Sequence, residues 1–165
     1  MTTLYANPYS LDATGFYFDS FEDYEAKATT ARDRFGNKVE EFEIDYIDGD
    51  NPALFAAVGV NQATLGRWFE QLDDIDDGSD EAIAISYLVE VIGMPLEQAL
   101  EQYEGVQVWH GTATDYAAEI IEETTEIPQH LGAYIDYEAI ARDMALNGEI
   151  YEVGRETIII NALDF

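Results

Sequence analysis

The chain has 165 residues, with 35 Asp and Glu against 7 Lys and Arg, for a formal net charge of −28. Such a charge repels anionic lipid and nucleic acid alike and leaves basic protein surfaces as the natural partners, with no direct nucleic-acid or membrane binding. A content of 47% hydrophobic and 13% aromatic residues excludes a disordered acidic tail, and the lack of cysteine excludes disulfides, thiolate metal sites and cysteine nucleophiles.

Residues 1–60 read as a small mixed α/β unit. "TTLYAN" and "GFYFDS" are strand-like and are joined through Pro8 and Gly15. "SFEDYEAKATTARDRF" is a helix candidate that carries four of the seven bases with the Lys just beyond it: Lys27, Arg32, Arg34 and Lys38. In "EEFEIDYIDGDNP" the residues alternate: Phe42, Ile44 and Tyr46 face one way, Glu41, Glu43 and Asp45 the other. That pattern predicts a half-buried strand with an acidic outer face, ended by the DGDNP turn.

Residues 61–104 read as a helical subdomain. Asn61 can cap a helix whose apolar face holds Leu65, Trp68, Phe69 and Leu72. The loop "DDIDDGSD" contributes Asp73, Asp74, Asp76, Asp77 and Asp80, and Asp80 can cap the helix "EAIAISYLVEVI", which carries Glu90. Gly93-Met94-Pro95 breaks that run. In "PLEQALEQYE", Leu96, Leu100 and Tyr103 point inward, while Glu97, Glu101 and Glu104 form an acidic row outside.

Residues 105–165 return to α/β character. "VQVWHGT" is a strand, and Thr112 with Asp115 can form a capping box for the helix that follows. On that helix Asp115, Glu119, Glu122 and Glu126 recur at steps of four, three and four, which would stack four carboxylates on one face, with Glu123 beside them. "AYIDYEAIARDMALNG" reads as a strand end, an Asp136 cap, a helix and an Asn-Gly stop, and "EIYEVGRETIIIN" as a hairpin turning at Gly154. The whole is an α+β chain of three subdomains.

The N-terminus lacks the basic and apolar regions of a signal peptide, and no apolar stretch approaches the roughly 18 residues that span a bilayer. A soluble, cytoplasmic protein is expected. The acids do not match established chemistry. An EF-hand register with Gly78 at its sixth position puts Ile75 third and Ala84 twelfth, and one on Gly49 starts with Ile44, so calcium ligation fails both times. His110 and His130 fit no metal spacing, and the serines sit in no nucleophile elbow. With 35 candidates, carboxylate pairs as such carry no information about glycoside hydrolysis. No catalytic residue, metal site or cofactor is assigned.

What remains is the charge. No Lys or Arg occurs between Arg67 and Arg142, while eighteen Asp and Glu do. Duplex DNA carries one charge per roughly 1.7 Å of axis, so 28 charges correspond to about 48 Å of duplex. One helical row, with about 5.5 Å between charges at 1.5 Å rise per residue, is too sparse to imitate DNA. Several rows side by side are dense enough. A globule of this length has a radius of gyration near 15 Å, so such a display calls for an elongated chain, a dimer, or both.

The run "TDYAAEIIEETTEIPQHLGAYIDYEAIARDMALNG" resembles the C-terminal segment of ArdA-type antirestriction proteins. The likeness rests on the acidic helix from Asp115, then Ile127-Pro128, Tyr134-Ile135-Asp136-Tyr137-Glu138 and Ala141-Arg142-Asp143. "LYANPYSLDATGFYFD" and "FEIDYIDG" are similar to the family's opening segments. The resemblance implies an elongated homodimer that mimics bent B-form DNA, occupies the DNA-binding groove of type I restriction–modification enzymes and lets mobile DNA escape cleavage, without catalysis or cofactor. It maps the antirestriction segment onto Asp115 to Asp143. Two other readings stay open: an acidic chaperone or decoy for another basic DNA-binding protein, and a salt-adapted structural protein whose acidity serves solubility.

Overall fold

Alternation of apolar and polar residues builds the first sheet. In the computed structural model, which describes residues 2–165, strands β1 (Thr3–Pro8), β2 (Phe16–Phe18) and β3 (Phe42–Asp48) pair antiparallel in the order β2-β1-β3. Leu4, Ala6, Phe18, Phe42 and Ile44 face inward and are buried, whereas Asn7, Tyr17 and Glu43 face out. This is the one-sided alternation of a sheet with a wet face and a dry face. The described residues divide between Ala82 and Ile83 into two compact units, a division that falls within a helix.

In the first unit, α1 (Phe21–Thr30) packs its buried Tyr24 among the rings of Phe16, Phe18 and Phe42, with centroids 5.0 to 6.2 Å apart. Burial pushes the Tyr24 phenol above its usual range, although Gln62 donates a 2.7 Å hydrogen bond to its oxygen and works in the other direction. The Ser20 hydroxyl caps α1 by accepting from the Asp23 N–H. The helix stops at Thr30 instead of running to Phe35. Thr29 and Thr30 are β-branched and turn their hydroxyls back onto carbonyls at Glu25, Ala26 and Lys27. Beyond them Asp33 accepts from the Phe35 and Asn37 N–H groups and the Asn37 side chain, which folds the basic stretch into a loop. The Asn37 side chain first, and those backbone donors with it, hold the Asp33 carboxyl below the usual carboxylate range.

The sequence reading missed α2 (Pro52–Ala57), which is too short to show a helical period; Pro52 opens it, and Leu54 and Phe55 are buried. Next come α3 (Leu65–Arg67), continuing into a π turn at Trp68–Leu72, and α4 (Asp80–Ser86), continuing into another at Tyr87–Val91. Leu65, Trp68 and Leu72 are fully buried as their spacing predicts, and Phe55 meets Trp68 edge-on at 5.0 Å. Asn61 acts as the expected cap: its carbonyl accepts from Thr64 and Leu65, and its side-chain oxygen accepts from the Ala63 N–H at 2.9 Å in the turn that leads into α3. The cap of α4 differs from expectation: it is the Ser79 hydroxyl, which accepts from Ala82, while Asp80 is the first residue of the helix.

Asn51 ties this unit together. It is fully buried; its side-chain N–H groups donate to the Leu72 and Asp73 carbonyls at 3.0 Å each, and its oxygen accepts from the Tyr46 and Thr2 hydroxyls.

The second unit gathers Ala84, Tyr87, Leu88, Ala99, Val106 and Ile159 into its core. Its elements are α5 (Leu96–Gln102), β4 (Val108–His110), α6 (Ala113–Thr124), α7 (Tyr137–Leu146), β5 (Tyr151–Gly154) and β6 (Thr157–Ile159). The sheet is antiparallel in the order β4-β6-β5, so β5 is an edge strand. The hairpin turns at Arg155–Glu156, just after Gly154. The expected strand end before Asp136 is a 3-10 turn at Gly132–Tyr134. The helix after Asp136 forms as predicted and stops at Asn147–Gly148, where Gly148 takes φ +75°.

Candidate acidic protein-binding surface

Helix α6 begins with the predicted capping box. The Thr112 hydroxyl accepts from the Asp115 N–H, and the Asp115 carboxylate accepts from the Thr112 N–H and, at 2.6 Å, from its O–H. Asp115 is thus anchored at the positive end of the helix dipole. Glu119, Glu122 and Glu123 stand exposed along the helix, with no basic residue in its last turn. Glu126 is exposed but lies off the helix, so the row predicted to hold four carboxylates is one member shorter. The helix stops at Thr124, whose hydroxyl bonds back to the Ile120 carbonyl, and Thr125 is already extended ahead of Pro128.

Helix α7 packs against α6, with Ala117 and Ala141 buried. Two phenols border the acids. Partial burial first, and then the charges of Glu119 and Glu149, raise Tyr116; partial loss of hydration first, and then the Glu122 carboxylate, raise Tyr137. The Tyr137 hydroxyl donates to Glu122 at 3.5 Å. Tyr137 is therefore a neutral donor beside the Glu122 carboxylate, and Tyr116 stays neutral near the charges of Glu119 and Glu149.

The other predicted acids fall on both units. On the first sheet Glu41 and Glu43 are exposed, and Asp45 is half-buried opposite Tyr5. Asp74, Asp76 and Asp80 are exposed in or beside the loop, while Asp73 is half-buried with one carboxylate oxygen shielded from water. Asp77 has a structural task instead: its two oxygens accept from the Ala53 and Leu54 N–H groups at 2.9 and 2.7 Å and cap α2. Replacing Asp77 by Ala should lower stability by about 1 kcal/mol in thermal or denaturant melts. It should leave the affinity of the acidic surface within about twofold, since both oxygens are already engaged. In the second unit Glu90, Glu97, Glu101 and Glu104 are all exposed, the last just past the end of α5.

Four ion pairs, Lys27–Asp23, Arg34–Asp12, Lys38–Glu40 and Arg67–Glu70, at 2.6 to 3.4 Å, engage acids other than those predicted for the surface. The motif residues divide by role. Asp136 caps α7 by accepting from Ala139 at 2.9 Å, Tyr137 opens that helix, and Pro128, Tyr134 and Asp143 are exposed, Tyr134 to 84%. Arg142 and Arg155, the two bases of this unit, line one cleft of ≈ 380 Å³ with Thr112, Thr114, Glu138 and Glu152. Sequence spacing could not bring these two arginines together, because β5 and α7 meet only in the fold.

Among the described residues, no cluster of His, Asp and Glu could hold a metal ion, and no helix is long and apolar enough to cross a membrane. A family model described as "Antirestriction protein (ArdA)" matches residues 11–158. No curated protein matches the chain significantly.

Proposed function

The chain belongs to the ArdA antirestriction family, and on that premise we propose that it inhibits type I restriction–modification enzymes in the cytoplasm by filling their DNA-binding groove with carboxylates in place of phosphates. The family is one of inhibitors and not of known enzymes, and membership implies an interaction with restriction enzymes. One observation supports the mimicry above all: Glu90, Glu101, Glu104, Glu119, Glu122 and Glu123 stand out to solvent, while the ion pairs Lys27–Asp23, Arg34–Asp12, Lys38–Glu40 and Arg67–Glu70 engage other acids. Lys and Arg that line a DNA groove bind phosphates without reading sequence. Fixed carboxylates can satisfy the same bases, so enzymes with different recognition sites should be inhibited alike.

The proposal includes a homodimer. The second unit leaves Leu146 at 78% and Leu163 at 70% exposure, and all four residues of edge strand β5 are exposed. An open edge and exposed apolar side chains favour burial against another chain. The experiment combines a purified type I enzyme, a labelled duplex carrying its site and increasing amounts of the protein. Release of the duplex as the protein binds is the expected result. A stable complex of all three would overturn groove occupancy.

A further inference from the structure

The wet face of the first sheet carries more than acids. Across β2, β1 and β3 the register places Tyr17 opposite Tyr5 and Tyr5 opposite Asp45, and in the next outward-facing position Asn7 opposite Glu43. The neighbours of this row in each strand, Leu4, Ala6, Phe18 and Ile44, are buried. Tyr17, Tyr5 and Asp45 therefore lie side by side on the opposite face. The two rings are 4.8 Å apart between centroids and tilted by 57°, not stacked, and Tyr17 is 59% exposed. Nearby, Asp19 accepts from the Thr3 hydroxyl at 2.8 Å, which fixes a further carboxylate beside the row. The cation already at this edge is neutralised: the Lys27 ammonium donates to the Tyr17 carbonyl at 2.8 Å and pairs with Asp23 at 2.6 Å.

Two tilted, electron-rich rings next to carboxylates suit a guanidinium, which can lie flat over a ring while its edge donates to an oxygen. An ammonium can use the charge but gains less from the planar arrangement. We infer that the Tyr17–Tyr5–Asp45 row is a cradle for an arginine side chain of the protein whose groove this chain occupies. This rests on the proposed groove occupancy and adds a named anchor to it. Under pure charge mimicry each carboxylate counts about equally and neutral side chains do not count. With the cradle, a neutral ring carries a disproportionate share, as aromatic anchors do in other interfaces.

The test compares Tyr17→Ala, Tyr17→Phe and Asp45→Asn with the unaltered chain. The first readout is displacement of labelled duplex from a purified type I enzyme, at one salt concentration, with thermal melts confirming that each variant is folded. Tyr17→Ala, which leaves the net charge untouched, should weaken displacement by roughly five- to tenfold, and Tyr17→Phe by less than about twofold. Asp45→Asn should weaken it by more than a charge-neutralising change at Glu101. The second readout uses octa-arginine and octa-lysine peptides of equal charge, with NMR shifts of the Tyr5 and Tyr17 rings. The unaltered chain should shift more with arginine, and Tyr17→Ala should abolish that preference at Tyr5. If the unaltered chain displaces DNA and Tyr17→Ala does so equally well, the cradle is wrong while groove occupancy stands. If the chain displaces no DNA, groove occupancy falls, and equal ring shifts with both peptides would then sink the cradle as well.

Discussion

Replacing Glu119, Glu122 and Glu123 together by glutamine is expected to weaken DNA displacement while making α6 slightly more stable. The two effects have opposite signs because one feature causes both. Along α6, Glu119 lies three residues from Glu122 and four from both Asp115 and Glu123, and like charges at these steps repel by a few tenths of a kcal/mol each. Glu122 and Glu123 also sit near the negative end of the helix dipole, where acids are unfavourable. Glutamine removes both penalties and keeps the helix propensity. In a groove lined by bases, however, the three lost charges are three lost attractions. Affinity should fall by roughly ten- to twentyfold, mostly through slower association, and single substitutions should cost less than about threefold. Raising salt from 0.01 to 0.15 M shortens the screening length from about 30 to about 8 Å and should suppress binding of the unaltered chain more steeply than that of the variant. A triple variant that melts no lower and still competes undiminished would show that α6 is not part of the binding surface.

The largest effect on stability is expected at Asn51, a residue that the sequence shows only as part of a turn. Asn51→Ala removes two donors from the buried carbonyls of Leu72 and Asp73 and the acceptor used by the Tyr46 and Thr2 hydroxyls. Stranding such buried groups costs about 1–3 kcal/mol apiece before relaxation, so a loss of about 3 kcal/mol in denaturant titration is a fair expectation. Asn51→Asp is the sharper comparison. It keeps the shape but points an anionic oxygen at two carbonyls, and it should be at least as damaging as alanine. Unchanged melts for both variants would mean that the loop after β3 is held in other ways. Loosening at Asn51 also frees the chain around Asp73, so part of any loss in binding by these variants would follow from the altered loop.

Features governed by neighbours in the chain were legible beforehand. The alternation over Phe42, Glu43, Ile44 and Asp45 gave the correct faces of β3, and the Thr112–Asp115 spacing gave the capping box. The Gly93–Pro95 break and the Asn147–Gly148 stop also follow from backbone preferences within a few residues. The end of α6 was misjudged by counting a helical period through Thr124 and Thr125 to Glu126. Spacing shows where a side chain would point on a helix; it does not show that the helix continues, and two β-branched residues ahead of a proline decide against it.

By itself the sequence determined that this is a folded, strongly acidic chain with its bases segregated, and it carried the pattern that marks the family. Those are properties of composition and of local order, which survive without knowledge of distant contacts. Only the tertiary structure decided which acids are spent inside the fold, such as Asp77 at the start of α2, and which face water, such as Glu119 and Glu123. It alone placed Tyr17, Tyr5 and Asp45 in one row and Arg142 beside Arg155 in one cleft. The physical reason is the same in each case: a carboxylate's role depends on the donors within about 3 Å of it, and those donors come from segments far away in the chain, brought there by burial of the apolar faces.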